Sequence, residues 1–128
     1  GAAYIWFTHN GNPIGSIVQN GTSGLTYNTS SDYRLKENVN YTFDATTRLK
    51  QLKPARFNFI TDREKGTVDG FLAHEVSNVV PNAITGEKDA VDDNGKPIHQ
   101  QIDYSKLVPL LVKTIQELEA RITALEAG

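Results

Sequence analysis

Val108–Leu125 reads VPLLVKTIQELEARITAL, and within it Val108, Leu111, Ile115, Leu118, Ile122 and Leu125 are spaced 3, 4, 3, 4 and 3 apart. That spacing is an unbroken heptad seam, with β-branched residues at a and leucine at d. It predicts a helix over residues 105–127, with Asp103 or Ser105 available as N-cap and Pro109 tolerable only in the opening turn. In a parallel assembly Arg121 at g and Glu126 at the following e are spaced for an interchain ion pair. β-Branched residues at a with Leu at d favour two strands in dimer rules, so the seam decides association and not number. Under three heptads is short, because isolated helices of this length are marginal. The other reading of the pattern is an amphipathic helix packed on its own domain.

Working towards the N-terminus, the polar stretch from Asn82 to Tyr104 carries Asn94-Gly95 between Ala90-Val91 and Ile98, which predicts a β-hairpin or extended loop. FLAHEVSNVV at Phe71–Val80 has a helix-compatible apolar pattern ended by Pro81, placing His74 and Glu75 on a helix or at its start. ARFNFI at Ala55–Ile60 places Phe57 and Phe59 on one face of a strand, and TDREKG at Thr61–Gly66 reverses the chain. DATTRLKQL at Asp44–Leu52 reads as a short capped helix stopped by Pro54. Before Ser30, apolar runs at Tyr4–Phe7, Ile14–Val18 and Leu25–Tyr27 alternate with turn signals at Asn10-Gly11, Asn12-Pro13 and Asn20-Gly21. Three short strands bury little by themselves, so pairing with copies of themselves or with an upstream segment is expected. The fold class is α+β: a small sheet with helices, a long C-terminal helix and a β-segment in front.

The 128 residues suffice for one compact unit with appendages. A net charge of −2 with mixed signs provides no basic face for counterion release, so nucleic acid is not an expected partner. No apolar run approaches the roughly 20 residues of a membrane helix, and no basic-then-apolar leader opens the chain, so no membrane partner is expected. The chain has no cysteine, which suits assembly in a reducing cytosol. Its start at Gly1, Ala2, Ala3 and Tyr4 without Met leads us to expect a piece of a longer polypeptide. His9 and His99 lack ligand spacing, and Asp89, Asp92 and Asp93 lack the EF-hand pattern and read as a solvated hairpin tip; no metal or cofactor is expected.

Four blocks, SDYRLKEN at Ser31–Asn38, LKPARFNF at Leu52–Phe59, GFLAHEVSNVVP at Gly70–Pro81 and IDYSKLVPLLVKTIQEL at Ile102–Leu118, stand in an order and spacing that resembles one family. It is the endosialidase-type intramolecular chaperone domain at the C-termini of phage tail spikes, tail fibres and neck appendages. The resemblance spans roughly Ser31 to Leu125, and Asn12–Ser30 looks like the end of the preceding spike. It implies residues 1–31 as the end of a β-structured stalk and residues 32–128 as the chaperone domain. It further implies a homotrimer that sets the register of the upstream stalk in the host cytoplasm and is released by cleavage between Ser31 and Asp32, leaving the spike in the virion tail. A Ser-Lys autoproteolysis maps onto Ser31 and Lys36, and a required histidine onto His74, where the family more usually has glutamine. The partners implied are two further copies and the upstream segment of the same polypeptide.

The chemistry sets conditions of its own. A serine hydroxyl needs a base, and lysine serves only when burial or cationic neighbours leave it partly neutral, so Lys36 is expected to be sequestered. Its contact with Ser31 requires a turn, and Arg34 is placed either to act on Lys36 as a like charge or to bind an oxyanion. Attack by Ser31 on its own carbonyl closes a four-membered ring. Three routes avoid this: water activated by Lys36 or His74, the Asp32 carboxylate through a six-membered ring, or Ser31 of another copy. Outside such blocks, Ser-Asp is most often a cap or turn, lysine a solvated charge and histidine a satisfied structural residue. The rival functions are an uncleaved receptor-binding tip and a trimerisation cap without peptidase activity; a glycan hydrolase would lie upstream.

Overall fold

The computed structural model describes residues 3–128 and divides the chain into two compact units, one ending at Tyr41 and one running Thr42–Gly128. In the first, strands β1 (Ala3–His9), β2 (Asn12–Asn20) and β3 (Gly24–Thr29) form an antiparallel meander in that order. Asn10 and Gly11 both have positive φ, 49° and 80°, as a tight hairpin turn between right-twisted strands requires. The expected turn at Asn12-Pro13 is corrected: both residues open β2, and Pro13 faces Thr8 beside a register shift. Proline donates no ladder hydrogen bond, so it sits where the pairing is already irregular. Tyr4 and Trp6 alternate with Ile5 and Phe7, so β1 presents large apolar side chains on both faces, all exposed.

The second unit contains the core: Ala45, Val76, Val79, Val80, Ala83, Leu107 and Leu110, with Leu49, Leu52, Phe71, Ile84 and Ile102 packed against it. Helix α1 (Thr46–Leu49) is shorter than the sequence suggested and is followed by β4 (Ala55–Phe57), which pairs antiparallel with β5 (Val68–Gly70). The sequence reading missed β5, whose three residues include two without apolar character. Phe57 and Phe59 meet edge to face at 5.3 Å, and a 3-10 segment, Ile60–Lys65, makes the reversal. Helix α2 (Ala73–Ser77) supplies the fully buried Val76. Strands β6 (Ile84–Thr85) and β7 (Gln101–Ile102) then pair as the base of a hairpin. A bridge between Val91 and Pro97 holds its tip, where the Asp92 carboxylate accepts from the Asn94 and Lys96 amides.

The Asp103 carboxylate accepts from the Ser105 amide and hydroxyl, capping a 3-10 turn, Tyr104–Leu107. Those bonds hold its carboxyl below the usual carboxylate range. Helix α3 (Val108–Ala127) follows, with Pro109 in its first turn. At about 100° per residue, Leu110, Thr114 and Glu117 share one side of α3, while the heptad seam lies about 100° further round. Leu110 and Thr114 are buried in the unit; Val108, Leu111, Ile115, Leu118, Ile122 and Leu125 are all exposed, Ile115 by 65% and Leu125 by 79%. Within one chain the helix therefore packs through a different face from its seam. The architecture is α+β, small antiparallel sheets with a long C-terminal helix.

Candidate active site

Between the sheet and the second unit the chain makes one short turn, and that turn carries the chemistry singled out above. Strand β3 ends at Thr29, and Ser30 is then pinned to β2: its amide donates to the Ile14 carbonyl at 3.0 Å and its hydroxyl to the Pro13 carbonyl at 3.1 Å. Beyond Ser31, the Asp32 carboxylate caps a 3-10 turn, Tyr33–Leu35, closed by bonds from the Leu35 amide to the Asp32 carbonyl and from the Lys36 amide to the Tyr33 carbonyl. The turn returns the chain on itself, and Lys36 Nζ donates to Ser31 Oγ at 2.6 Å. The five-residue separation that an extended strand would keep apart is thus closed by local backbone geometry.

Asp32 and Arg34 form a compact fork across the turn. Asp32 Oδ1 accepts from the Arg34 amide at 2.8 Å and from Arg34 Nε at 2.9 Å, while Oδ2 accepts from Arg34 Nη2 at 3.0 Å. The guanidinium, helped by the Arg34 amide, holds the Asp32 carboxyl below the usual carboxylate range, and Asp32 in turn raises Arg34. Arg34 therefore directs its charge at Asp32, a partner that the sequence reading did not assign to it. Ser31, Asp32, Arg34 and Lys36 are all exposed in the single chain, so the sequestration expected of Lys36 is not provided by its own chain.

His74 belongs to the second unit. It is half-buried on α2 and lines a concavity of about 460 Å³ with Lys88, Asp89 and His99. Among the described residues no cluster of His, Asp and Glu has the arrangement to hold a metal ion, and no helix is long and apolar enough to cross a membrane.

One residue outside the sequence reading ties α3 to α1 in the second unit. Glu117 on α3 accepts from the Ala45 amide, the Thr46 amide and the Thr46 hydroxyl at 3.0–3.2 Å, capping α1 across 72 positions of sequence. The Thr46 amide foremost, with the Ala45 amide and Thr46 hydroxyl, keeps its carboxyl below the usual range. Asp44, read from sequence as the cap, contributes a 3.3 Å bond from the Thr47 amide to its carboxylate.

The run that starts with this serine, passes through the α1 and β4–β5 region and ends with β6 is also a family signature. Residues 31–85 match Peptidase_S74, chaperone of endosialidase. The match starts at Ser31 and takes in three of the four blocks on which the resemblance was recognised, leaving Ile102–Leu118 outside it. The matched segment includes Ser31, Asp32, Arg34, Lys36 and His74, and the family it is similar to is named as a peptidase family. No curated protein matches the chain.

Proposed function

We propose that the chain is an intramolecular chaperone which assembles as a trimer through the α3 seam, sets the register of the β-segment before it, and is released by autoproteolysis between Ser31 and Asp32. The observation that supports this most directly is the 2.6 Å hydrogen bond between Lys36 Nζ and Ser31 Oγ at the first residue of the chaperone-of-endosialidase segment. In the reacting state the direction reverses: a neutral Lys36 amine accepts the Ser31 proton and the oxygen becomes the nucleophile.

The overall change is hydrolysis, in which the Ser31 C–N bond to Asp32 breaks, water is consumed, and a carboxylate and an amine are left. Both oxygens of the Asp32 carboxylate are engaged by Arg34, which argues against the six-membered route. Exposure of Lys36 favours a site finished by a second copy, because burial is what leaves a lysine neutral. On that route Ser31 Oγ of one copy attacks the Ser31 carbonyl of another. The Asp32 amine then departs with the proton held by Lys36, and water opens the resulting ester.

Threading several chains into one β-structure has a large chain-entropy cost, and a helix that gathers the copies lowers it by raising effective concentration. Once intertwined, the stalk is held by its unfolding barrier, so loss of the helper does not reverse assembly. On this reading the work is done in the host cytoplasm during assembly, with the spike portion kept in the virion tail. His74 enters through the family resemblance, as a candidate general base or acid.

The test is expression of wild type beside Ser31→Ala, Lys36→Ala and His74→Ala, read by intact and native mass. A break after Ser31 in wild type, absent in Ser31→Ala and slowed at least about a hundredfold in Lys36→Ala, is the expected result. An unbroken wild-type chain would overturn the autoproteolysis and leave the two uncleaved readings, a receptor-binding tip and a trimerisation cap without peptidase activity. Cleavage at an unchanged rate on dilution to single copies would exclude the intermolecular route.

A further inference from the structure

We infer that Arg34 is a positioning residue for the cleavage, acting through a two-pronged grip on the Asp32 carboxylate that holds the turn in which Lys36 meets Ser31. The inference rests on the reading of Ser31 and Lys36 as the cleaving pair. Its own observation is separate: three donors of one residue, the amide, Nε and Nη2 of Arg34, occupy both oxygens of the residue that follows the bond to be cut.

The Tyr33–Leu35 turn is a single 3-10 turn without a buried residue. No core packing holds it, and a lone turn of this kind is weak in water. What closes it besides two backbone bonds is the cap from Asp32, and what fixes the cap is the guanidinium lying along both carboxylate oxygens. An arginine makes this parallel pair of bonds and a lysine does not, since an ammonium is a point charge with no planar fork. The same grip draws charge from both Asp32 oxygens and so weakens them as nucleophiles for the adjoining carbonyl. Arg34 touches neither Ser31 nor Lys36 through any of these bonds, so its influence on the reaction is transmitted by Asp32.

The experiment measures the fraction of full chain cut after fixed times, by intact mass, in Arg34→Ala, Arg34→Lys, Asp32→Ala and the Asp32→Ala/Arg34→Ala double variant. Ser31→Ala serves as the inert reference. Arg34→Ala and Arg34→Lys are both expected to slow cleavage by about tenfold or more, as misplacement of a catalytic group does. In the Asp32→Ala background the further loss of Arg34 is expected to change the rate by less than about twofold, the mark of residues acting as one unit.

A second measurement follows the Asp32 carboxyl carbon by NMR in the uncut Ser31→Ala chain, where adding Arg34→Gln is expected to move its titration to higher pH. The Arg34 side chain is 76% exposed, so these variants leave the fold intact, which circular dichroism checks. Arg34→Ala at the wild-type rate beside an inert Ser31→Ala overturns this inference alone, as does full rescue by Arg34→Lys. Multiplying effects in the double variant overturn it too. Cleavage of Ser31→Ala at the wild-type rate overturns the Ser31–Lys36 reading itself, and the inference with it.

Discussion

Gly70, the last residue of β5, sits where no side chain fits. A Cβ there would lie 2.8 Å from the Tyr104 hydroxyl and 3.1 Å from the Phe57 ring, so the half-exposed Tyr104 must swing aside and the Phe57 ring, set edge to face against Phe59, must give way. Gly70→Ala is therefore expected to destabilise the second unit by about 1–3 kcal/mol through overpacking, measured as a lower denaturation midpoint in urea. The sequence marks Gly70 only as the start of a block, since its neighbours in space lie 13 and 34 positions away. At the same scale Ser31 and Lys36 are singled out through the family resemblance, and their contact, one turn over five positions, is local enough for the sequence to demand a turn there. The Asp32–Arg34 fork is equally local, yet an arginine beside a lysine suggests repulsion before it suggests a grip on its other neighbour.

At the scale of elements, α1 has four residues and cannot stand on intrinsic propensity. Leu49 packs it onto the core, and the Glu117 carboxylate of α3 satisfies the amide groups at its start. Glu117→Gln is expected to lower the thermal midpoint by a few degrees, because a neutral acceptor makes weaker bonds to those amides. The pH dependence has a definite sign. Glu117 has its proton affinity lowered by folding, so the stability it adds is present above the ordinary glutamate range and is lost as pH falls through its depressed value. Wild type and Glu117→Gln should accordingly converge in stability under strongly acid conditions and diverge towards neutrality. Local capping rules pointed to Asp44 because they see only a few residues at a time; a cap delivered from 72 positions away has no sequence signature.

For the whole molecule the informative feature is the division of α3 between two faces. Leu110, Thr114 and Glu117 serve the chain's own unit, while the six seam residues point elsewhere and every residue from Leu118 onward is exposed. The heptad spacing made the seam legible, and the polar Thr114 and Glu117 hid the second face. Exposed leucines and isoleucines in such a row are what a partner helix covers. On the proposed assembly, wild type shows the native mass of three copies, and the Ile115→Asp/Leu118→Asp variant falls to one copy at the same concentration. That variant should also cleave at least about tenfold more slowly if a second copy completes the site.

Ser30 is fastened to β2 by its amide and its hydroxyl, both bonds lying on the upstream side of the Ser31–Asp32 bond at which cleavage is proposed. On the proposed cleavage, a break after the next residue would leave a stump whose last residue but one is already stitched into the sheet, so the new chain end would be held against fraying and would offer little slack to an exopeptidase.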